Sequence, residues 1–526
     1  MAPIYLTFIA SLLLASSTFC EQLCLEGCKC EDHPSEKLGP HLMIDCSNLG
    51  SSSVPRDLNK FQNYGRPMHL KLSKNIIARV SKADFPENLP IIALDFNQNR
   101  GVMITDDAFM NIKGLRYLGL NDISMPFTDT MKYLKGMTKL RYLYLNKNYQ
   151  FGEGLVPVSL FSGLELKLKD LSLHDCYLKG IENGALANVV ITGSLDIGAN
   201  QLDHIPEEVK TLKNLTKLDV SQNSIKSIPS NTFEGMSKLR TLSLSNNYIN
   251  GQSFKTDSFN GLKLKELRLE KSELNTIPSA ALSSLSSLKI LKLNNSPIKT
   301  IPKHSFNGSY CLEVLDLTNV LVEIENTHLD GLESCLQKLY LNNMQIREIP
   351  KFFKDFKVLN YVSLSGNSIS EIKMDDLVGT TITELDLTEN PLHRIEKGSF
   401  EEFPHAISLI ISDTRLSNLS FVRDYEYGTI KTIKLGNVLP MCDCELAFAE
   451  YRVLEIHGNC NFNNTKNVAI STDEFMSVTS HCWPDGKMPQ KKDVWAVVGD
   501  NSAGTFSTSI LSYFCVFLFF KVLNIV

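Results

Sequence analysis

The chain is expected to fold as an α/β repeat solenoid: about 16 parallel strands form a concave sheet, and each end is closed by a disulfide cap. Three observations predict this. The pattern L-x-x-L-x-L-x-x-N-x-L recurs along the chain, with clear copies from Leu215 (LTKLDVSQNSI), Leu239 (LRTLSLSNNYI) and Ile382 (ITELDLTENPL). The central hydrophobic residue recurs from Leu70 to Ile433 at steps of 23 to 25 residues, with a single step of 28. Apart from Cys20 and Cys515 in the terminal segments, four cysteines (Cys24, Cys28, Cys30 and Cys46) precede the first copy and four (Cys442, Cys444, Cys460 and Cys482) follow the last.

The central residues are Leu70, Leu94, Leu118, Leu143, Leu171, Leu195, Leu218, Leu242, Leu267, Leu291, Leu315, Leu339, Val362, Leu385, Leu409 and Ile433, here rungs 1 to 16. The step lies inside the window of leucine-rich repeats, so the architecture is a leucine-rich repeat horseshoe. Strand alternation sends the two apolar residues of L-x-L inward and the x outward. No single copy buries its own apolar side, so neighbours must stack. Sixteen strands at a ~4.8 Å spacing give a sheet roughly 75 Å long.

At the N position an asparagine carboxamide is suited to pair with backbone groups of the adjacent coil that the strand ladder leaves open. Asn75, Asn99, Asn148, Asn200, Asn223, Asn247, Asn367 and Asn390 keep it, and Cys176 is a tolerated variant. Ile123, Ser272, Ser296, Val320, Met344, Thr414 and Val438 depart from it. Looser backbone bonding is expected near the apolar ones. Beyond the turn, Ile-Pro pairs and then Phe161, Phe233, Phe259, Phe306 or Leu329 predict a second apolar spine on the outer layer.

Both termini read as processing signals. Residues 1–20 hold an apolar run of secretory h-region length, too short to span a bilayer. Near the other end, small residues are followed by a polar spacer and the hydrophobic tail Ile510–Val526, the pattern of a GPI-attachment signal. Ser502 is the preferred attachment residue and Asn501 the next. The rival, a spanning helix, needs ~20 apolar residues; 17 remain, Lys521 among them. The resulting order is signal peptide 1–20, N-terminal cap 21–60, repeats 61–440, C-terminal cap 441–483, stalk 484–502 and a removed segment 503–526.

Export fits cysteine caps better than zinc sites, whose paired C-x₂₋₄-C ligands are not matched by C-x-C. The blocks CLEGCKCEDHPSEKLGPHLMIDC and MCDCELAF resemble those of extracellular leucine-rich repeat proteins with cysteine-rich flanks, of the connectin and chaoptin type. The resemblance covers about Cys24 to Cys482 and departs from it at Val438 and Leu439, where Asn-Pro is usual. It implies pairings Cys24–Cys30, Cys28–Cys46, Cys442–Cys460 and Cys444–Cys482; spacing alone leaves three arrangements open at each cap. Cys311 and Cys335 each stand four residues before a central leucine, a separation in space that a disulfide tolerates, so a staple between neighbouring coils is expected over two buried thiols. Cys176 then stays free and buried.

Sequons at Asn214, Asn294, Asn307, Asn418 and Asn463 are expected glycosylation positions. A glycan on Asn294 would crowd the concave face near rung 10. The outward x positions carry mixed charge with a modest acidic excess, which disfavours nucleic acid and other polyanions as ligands. Tyr117, Tyr142 and Tyr144 are expected to gather on adjacent strands as a protein contact, against the plainer reading of good strand formers. The long step between Leu143 and Leu171 should hold a loop excursion beside them.

No catalytic motif, metal-ligand spacing or cofactor fingerprint is found, so no catalytic, metal or cofactor residue is assigned. The expected function is protein recognition or adhesion at the cell surface through a lipid anchor. The partner is a protein, the same molecule on another cell or a different receptor, with a transmembrane co-receptor if a signal is passed. The alternatives are an innate-immune ligand-binding co-receptor and a secreted matrix-binding protein.

Overall fold

A computed structural model describes residues 24–483 except 63, 125–129, 307–310, 401–405, 426–428, 454 and 464–465. The signal segment, Asn307, Asn501 and Ser502 lie outside the described residues. The chain divides into two compact units, Met1–Ile369 with Gly379–Asp386, and Ser370–Val378 with Leu387–Val526. Among the described residues no helix is long and apolar enough to cross a membrane.

In the first unit each L-x-L forms a short strand, and consecutive strands pair in parallel with central residues opposite each other. Leu218 faces Leu195 on one side and Leu242 on the other. The central side chains of rungs 1 to 14 are fully enclosed, and so are their partners two residues on, such as Leu72, Val220 and Leu341. Hydrophobic burial of this kind, at ~25 cal/mol per Å², is the main force holding the stack. The long step is absorbed partly by strand. Among the described residues Leu166–Ser172 and Val189–Asp196 are the longest strands, pairing from Leu166↔Val189 through a register shift to Ser172↔Asp196. Gly193 sits at this shift, where an added Cβ would lie 2.7 Å from the Lys169 carbonyl oxygen. The excursion itself pairs Leu155–Val156 with Gly180–Ile181.

The asparagines form a buried ladder that reaches backward by one rung. Asn99 donates through Nδ2 to the Leu72 carbonyl at 2.8 Å and accepts from the Ile77 N–H at 3.1 Å. Asn148 does the same with Leu120 and Ile123, and Asn200 with Leu173 and Leu178. The substitutes do less. The Cys176 thiol reaches the Leu145 carbonyl at 3.2 Å, Ser296 reaches Leu269 at 3.3 Å, and the Ser272 hydroxyl is buried without a partner. Val320 and Met344 have no group to offer.

On the opposite layer Phe161, Phe233, Phe259, Phe306 and Leu329 are buried, and Phe233 stacks on Phe259 at 6.2 Å. The N-terminal cap is the antiparallel hairpin Lys29–His33 with His41–Asp45, whose second strand continues in parallel onto Met68–Lys71. It carries disulfides Cys24–Cys30 and Cys28–Cys46. A further disulfide joins Cys311 to Cys335, with Cα atoms 4.9 Å apart.

In the second unit, strands Ile407–Ile410, Ile430–Lys434 and Glu455–His457 run parallel. Helix Cys444–Arg452 starts on Asp443, whose carboxylate accepts the Leu446 N–H at 3.0 Å. Disulfides Cys442–Cys460 and Cys444–Cys482 pin this helix to the hairpin Asn459–Phe462/Lys466–Ala469 and to the turn after it. Val438 and Leu439, which replace Asn-Pro, leave the turn intact: Val438 is buried and its N–H bonds the Leu435 carbonyl at 3.0 Å.

Candidate functional site

The residues flanking each central leucine, at −1 and at +1, both point out of the apolar layer. The solvent face of the sheet is therefore two columns wide. Much of the acidic +1 column is structural. The Asp45, Asp95, Asp196, Asp219 and Asp316 carboxylates each accept the N–H two residues on at 3.0 Å, closing the turn that leaves the strand. A second polar ladder runs three residues past the centre, where Asn97 accepts from the Asn121 N–H and Asn121 from the Asn146 N–H. Asn294 holds the same position, but its Oδ1 is enclosed without a partner and the residue is half-buried. Asn214, Asn418 and Asn463 are exposed.

Tyr117, Tyr142 and Tyr144 stand together on adjacent strands, but not as an open contact surface. Tyr142 is only 4% exposed and belongs to a small apolar cluster with Leu38, Ile92 and Ala93. Leu38 comes from the loop 34–40 of the cap hairpin, which lies over this part of the sheet. Lys37 donates from Nζ to the Tyr144 hydroxyl at 3.1 Å, pairs with Asp170 at 3.6 Å, and sits over the Tyr142 and Tyr144 rings. The reason is the reach of a seven-residue hairpin loop carrying a long cation and an aliphatic side chain, a packing decision the sequence pattern does not announce.

A second aromatic pair lies farther along, at Tyr340 (+1, rung 12) and Tyr361 (−1, rung 13), with ring centres 5.2 Å apart. Both are half-buried and face carboxylates, Asp316 and Glu384 at Tyr340 and Asp386 and Glu384 at Tyr361. Burial, and then these charges, raise both phenol pKa values. Lys338 holds its ammonium 6.0 Å from the centre of the Tyr361 ring. Ile290 and Val314, on the −1 column of rungs 10 and 11, extend the patch with partly exposed aliphatic surface. Two aromatics, two aliphatics and a charged rim are the composition of a protein contact. Tyr361, Ile290 and Val314 are not singled out by the sequence pattern, although strand alternation places −1 and +1 on one face.

Cys176 is buried, and burial pushes its thiol up to about 12. Its thiolate is scarce near neutrality, so it is not a nucleophile. Iodoacetamide at about pH 8 should leave Cys176 unmodified in the native protein and label it once the chain is denatured; rapid native labelling would contradict this environment. The Cys444, His481 and Cys482 ligand atoms lie together, but the two sulfurs are bonded to each other, which leaves no thiolate for a metal.

Comparison with known proteins gives the same picture. The model of the BspA-type leucine-rich repeat region matches in six copies, over residues 156–255, 203–335 and 276–405. Human Toll-like receptor 8 is 28% identical over 257 residues, 46% of this chain and 24% of the receptor. Mouse podocan is 26% identical over 46% of this chain and 38% of its own length. Drosophila melanogaster chaoptin is 27% identical over 38% of this chain and 13% of its own length. The matches thus span well under half of each of these relatives. Among solved structures, a leucine-rich repeat protein of Leptospira interrogans superposes with a TM-score of 0.53 at 20% identity, covering 71% of this chain and 90% of that one, a likeness of fold.

Proposed function

We propose that this chain, a leucine-rich repeat protein closed by disulfide caps, is an extracellular recognition protein held at the cell surface by a GPI anchor and used in adhesion. The carrying observation is the patch Ile290, Val314, Tyr340 and Tyr361 on a rigid parallel sheet. Rigid strands present these side chains with little entropy left to lose on binding. Five disulfides among the described residues support an oxidising compartment. The partner is a protein, the same molecule on a facing cell or a different receptor, and a signal requires a transmembrane co-receptor. The match to human Toll-like receptor 8 favours a second reading, a ligand-binding co-receptor.

Two experiments test this. Phosphatidylinositol-specific phospholipase C should release the protein from intact expressing cells; full retention contradicts the lipid anchor. Expressing cells should aggregate, and Tyr340→Ser with Tyr361→Ser should abolish aggregation while surface level stays the same. Hot-spot aromatics typically contribute at least ~2 kcal/mol each, enough to lower affinity by well over tenfold. Aggregation that survives the double substitution refutes the patch. No aggregation of cells with the natural sequence refutes the adhesion reading in its homophilic form.

A further inference from the structure

The cap hairpin that covers the first tyrosine cluster is built over a column of imidazoles. His33, His41 and His69 follow one another on three adjacent strands, with ring centres 5.4 and 5.6 Å apart, and the column continues onto Tyr117 at 5.7 Å and Tyr144 at 5.3 Å. Ala93 stands between His69 and Tyr117 and is small enough to let the rings meet. The Nε2 atoms of His41 and His69 are buried without any hydrogen-bond partner. His41 turns its Nδ1 to the Gly39 carbonyl at 2.8 Å, so the column is tied to the loop itself.

We propose that loop 34–40 is an acid-released cover: protonation of His69, in the His33–His41–His69 column, lifts it and opens the Tyr117–Tyr142–Tyr144 face as a second contact surface. The groups that face His69 favour this direction. His41 and His33 come from the two cap strands and Lys71 from its own strand, and these oppose a positive charge there. Asp45 favours one, but it is already engaged by the Ser47 N–H and by Lys71. Asp95, on the next strand, accepts from Asn97 and Ser73. Tyr117 brings a neutral ring.

The sign follows from burial. Enclosure, then Lys71 and the two neighbouring histidines, lower His69 from 6.5 to about 4 while the cover is closed. With the cover lifted, the imidazole meets more water and rises toward its ordinary value, while Lys71 on its own strand still opposes the charge. Closure is therefore undisturbed above pH ~6.5 and weakens as pH falls toward ~4, and His69 alone shifts the balance toward the open state by between about 10-fold and about 25-fold between about pH 7.4 and pH 5. The lodged side chains show what the opened face accepts. Lys37 lies over two tyrosine rings beside Asp170, and Leu38 sits among Ile92, Ala93 and Tyr142. A protein segment with a cation next to an aliphatic side chain would take their place.

Amide hydrogen exchange on the full chain tests the cover. After correction for the intrinsic exchange rate, protection of residues 35–39 should fall by at least about tenfold between about pH 7.4 and pH 5, while that of rungs 6 to 12 stays constant. His69→Phe, which keeps the ring packing and removes the proton site, should abolish the fall. Lys37→Ala should open the loop at both pH values. Equal loop protection at the two pH values overturns the proposal. So does a fall that persists in His69→Phe, or a parallel loss across rungs 6 to 12, which would mean acid unfolding rather than local release.

Discussion

Replacing Asn223 by alanine should lower the unfolding free energy by about 3 kcal/mol, more than any surface substitution on this chain. Asn223 is buried in the middle of the ladder. Its Nδ2 donates to the Ile197 carbonyl at 3.1 Å and the Val220 carbonyl at 3.0 Å, and its Oδ1 accepts the Leu202 N–H at 3.0 Å. Alanine strands one donor and at least one acceptor where water does not reach, and each orphaned group costs ~1–3 kcal/mol. The damage should spread to rung 6, because two of the lost bonds belong to that coil. Guanidinium titration measures the total, and hydrogen exchange at Leu202 and its neighbours locates it. A change below ~1 kcal/mol would mean that the asparagines decorate the turn rather than hold it. Ser272→Asn should act in the opposite direction, since its hydroxyl is enclosed without a partner.

Removing the internal staple, by Cys311→Ser with Cys335→Ser, should cost about 3 kcal/mol from the entropy of the 24-residue loop it closes. Its position gives the number a local meaning. The staple joins rungs 11 and 12, the adjacent coils in which Val320 and Met344 replace the ladder asparagine. On their far side an open groove of about 660 Å³ is lined by Leu321, Met344, Ile346 and Phe352 among others. Leu321 is 65% exposed there. A covalent bond thus joins two adjacent coils that both lack the ladder asparagine. Because stability in a repeat stack is a sum of neighbour terms, the variant should lose exchange protection in rungs 11 and 12 first, with rungs 6 to 8 unaffected at low denaturant. Uniform loss along the sheet would show that the staple serves global closure instead. The same two rungs carry Val314 and Tyr340, so the variant should also loosen the proposed contact patch.

The repeat is legible because burial imposes a strict period. A leucine at Leu218 or Leu242 has one place to go, and so does the asparagine five residues later, Asn223 or Asn247. The outer spine of Phe233 and Phe259 is read with the same ease. The face of the sheet is harder to read, since its residues answer to neighbours in space. Asp219 looks like a ligand-facing charge, yet its carboxylate accepts from the Ser221 N–H and hydroxyl. Tyr142 looks like an exposed aromatic, yet Leu38 of a distant hairpin covers it. Tyr361 hides in plain view one residue before its central valine. Nothing in the spacing of His33, His41 and His69 reveals that three strands bring them into one column; that takes the register of the cap hairpin on the first rung. The apolar departures at Val320 and Met344 carry their own signal, and the nearby cysteine pair explains how they are tolerated.

The account stands on a stack of coils sealed by oxidised caps in an exporting compartment. Its most direct test is non-reducing peptide mapping of protein recovered from the surface of its own cells, with free thiols blocked at lysis. The account predicts Cys24–Cys30, Cys28–Cys46, Cys311–Cys335, Cys442–Cys460 and Cys444–Cys482 as bonded pairs, with the block found on Cys176 alone within residues 24–483. Blocked thiols at the cap cysteines, or bonds that join one cap to the other, would contradict it.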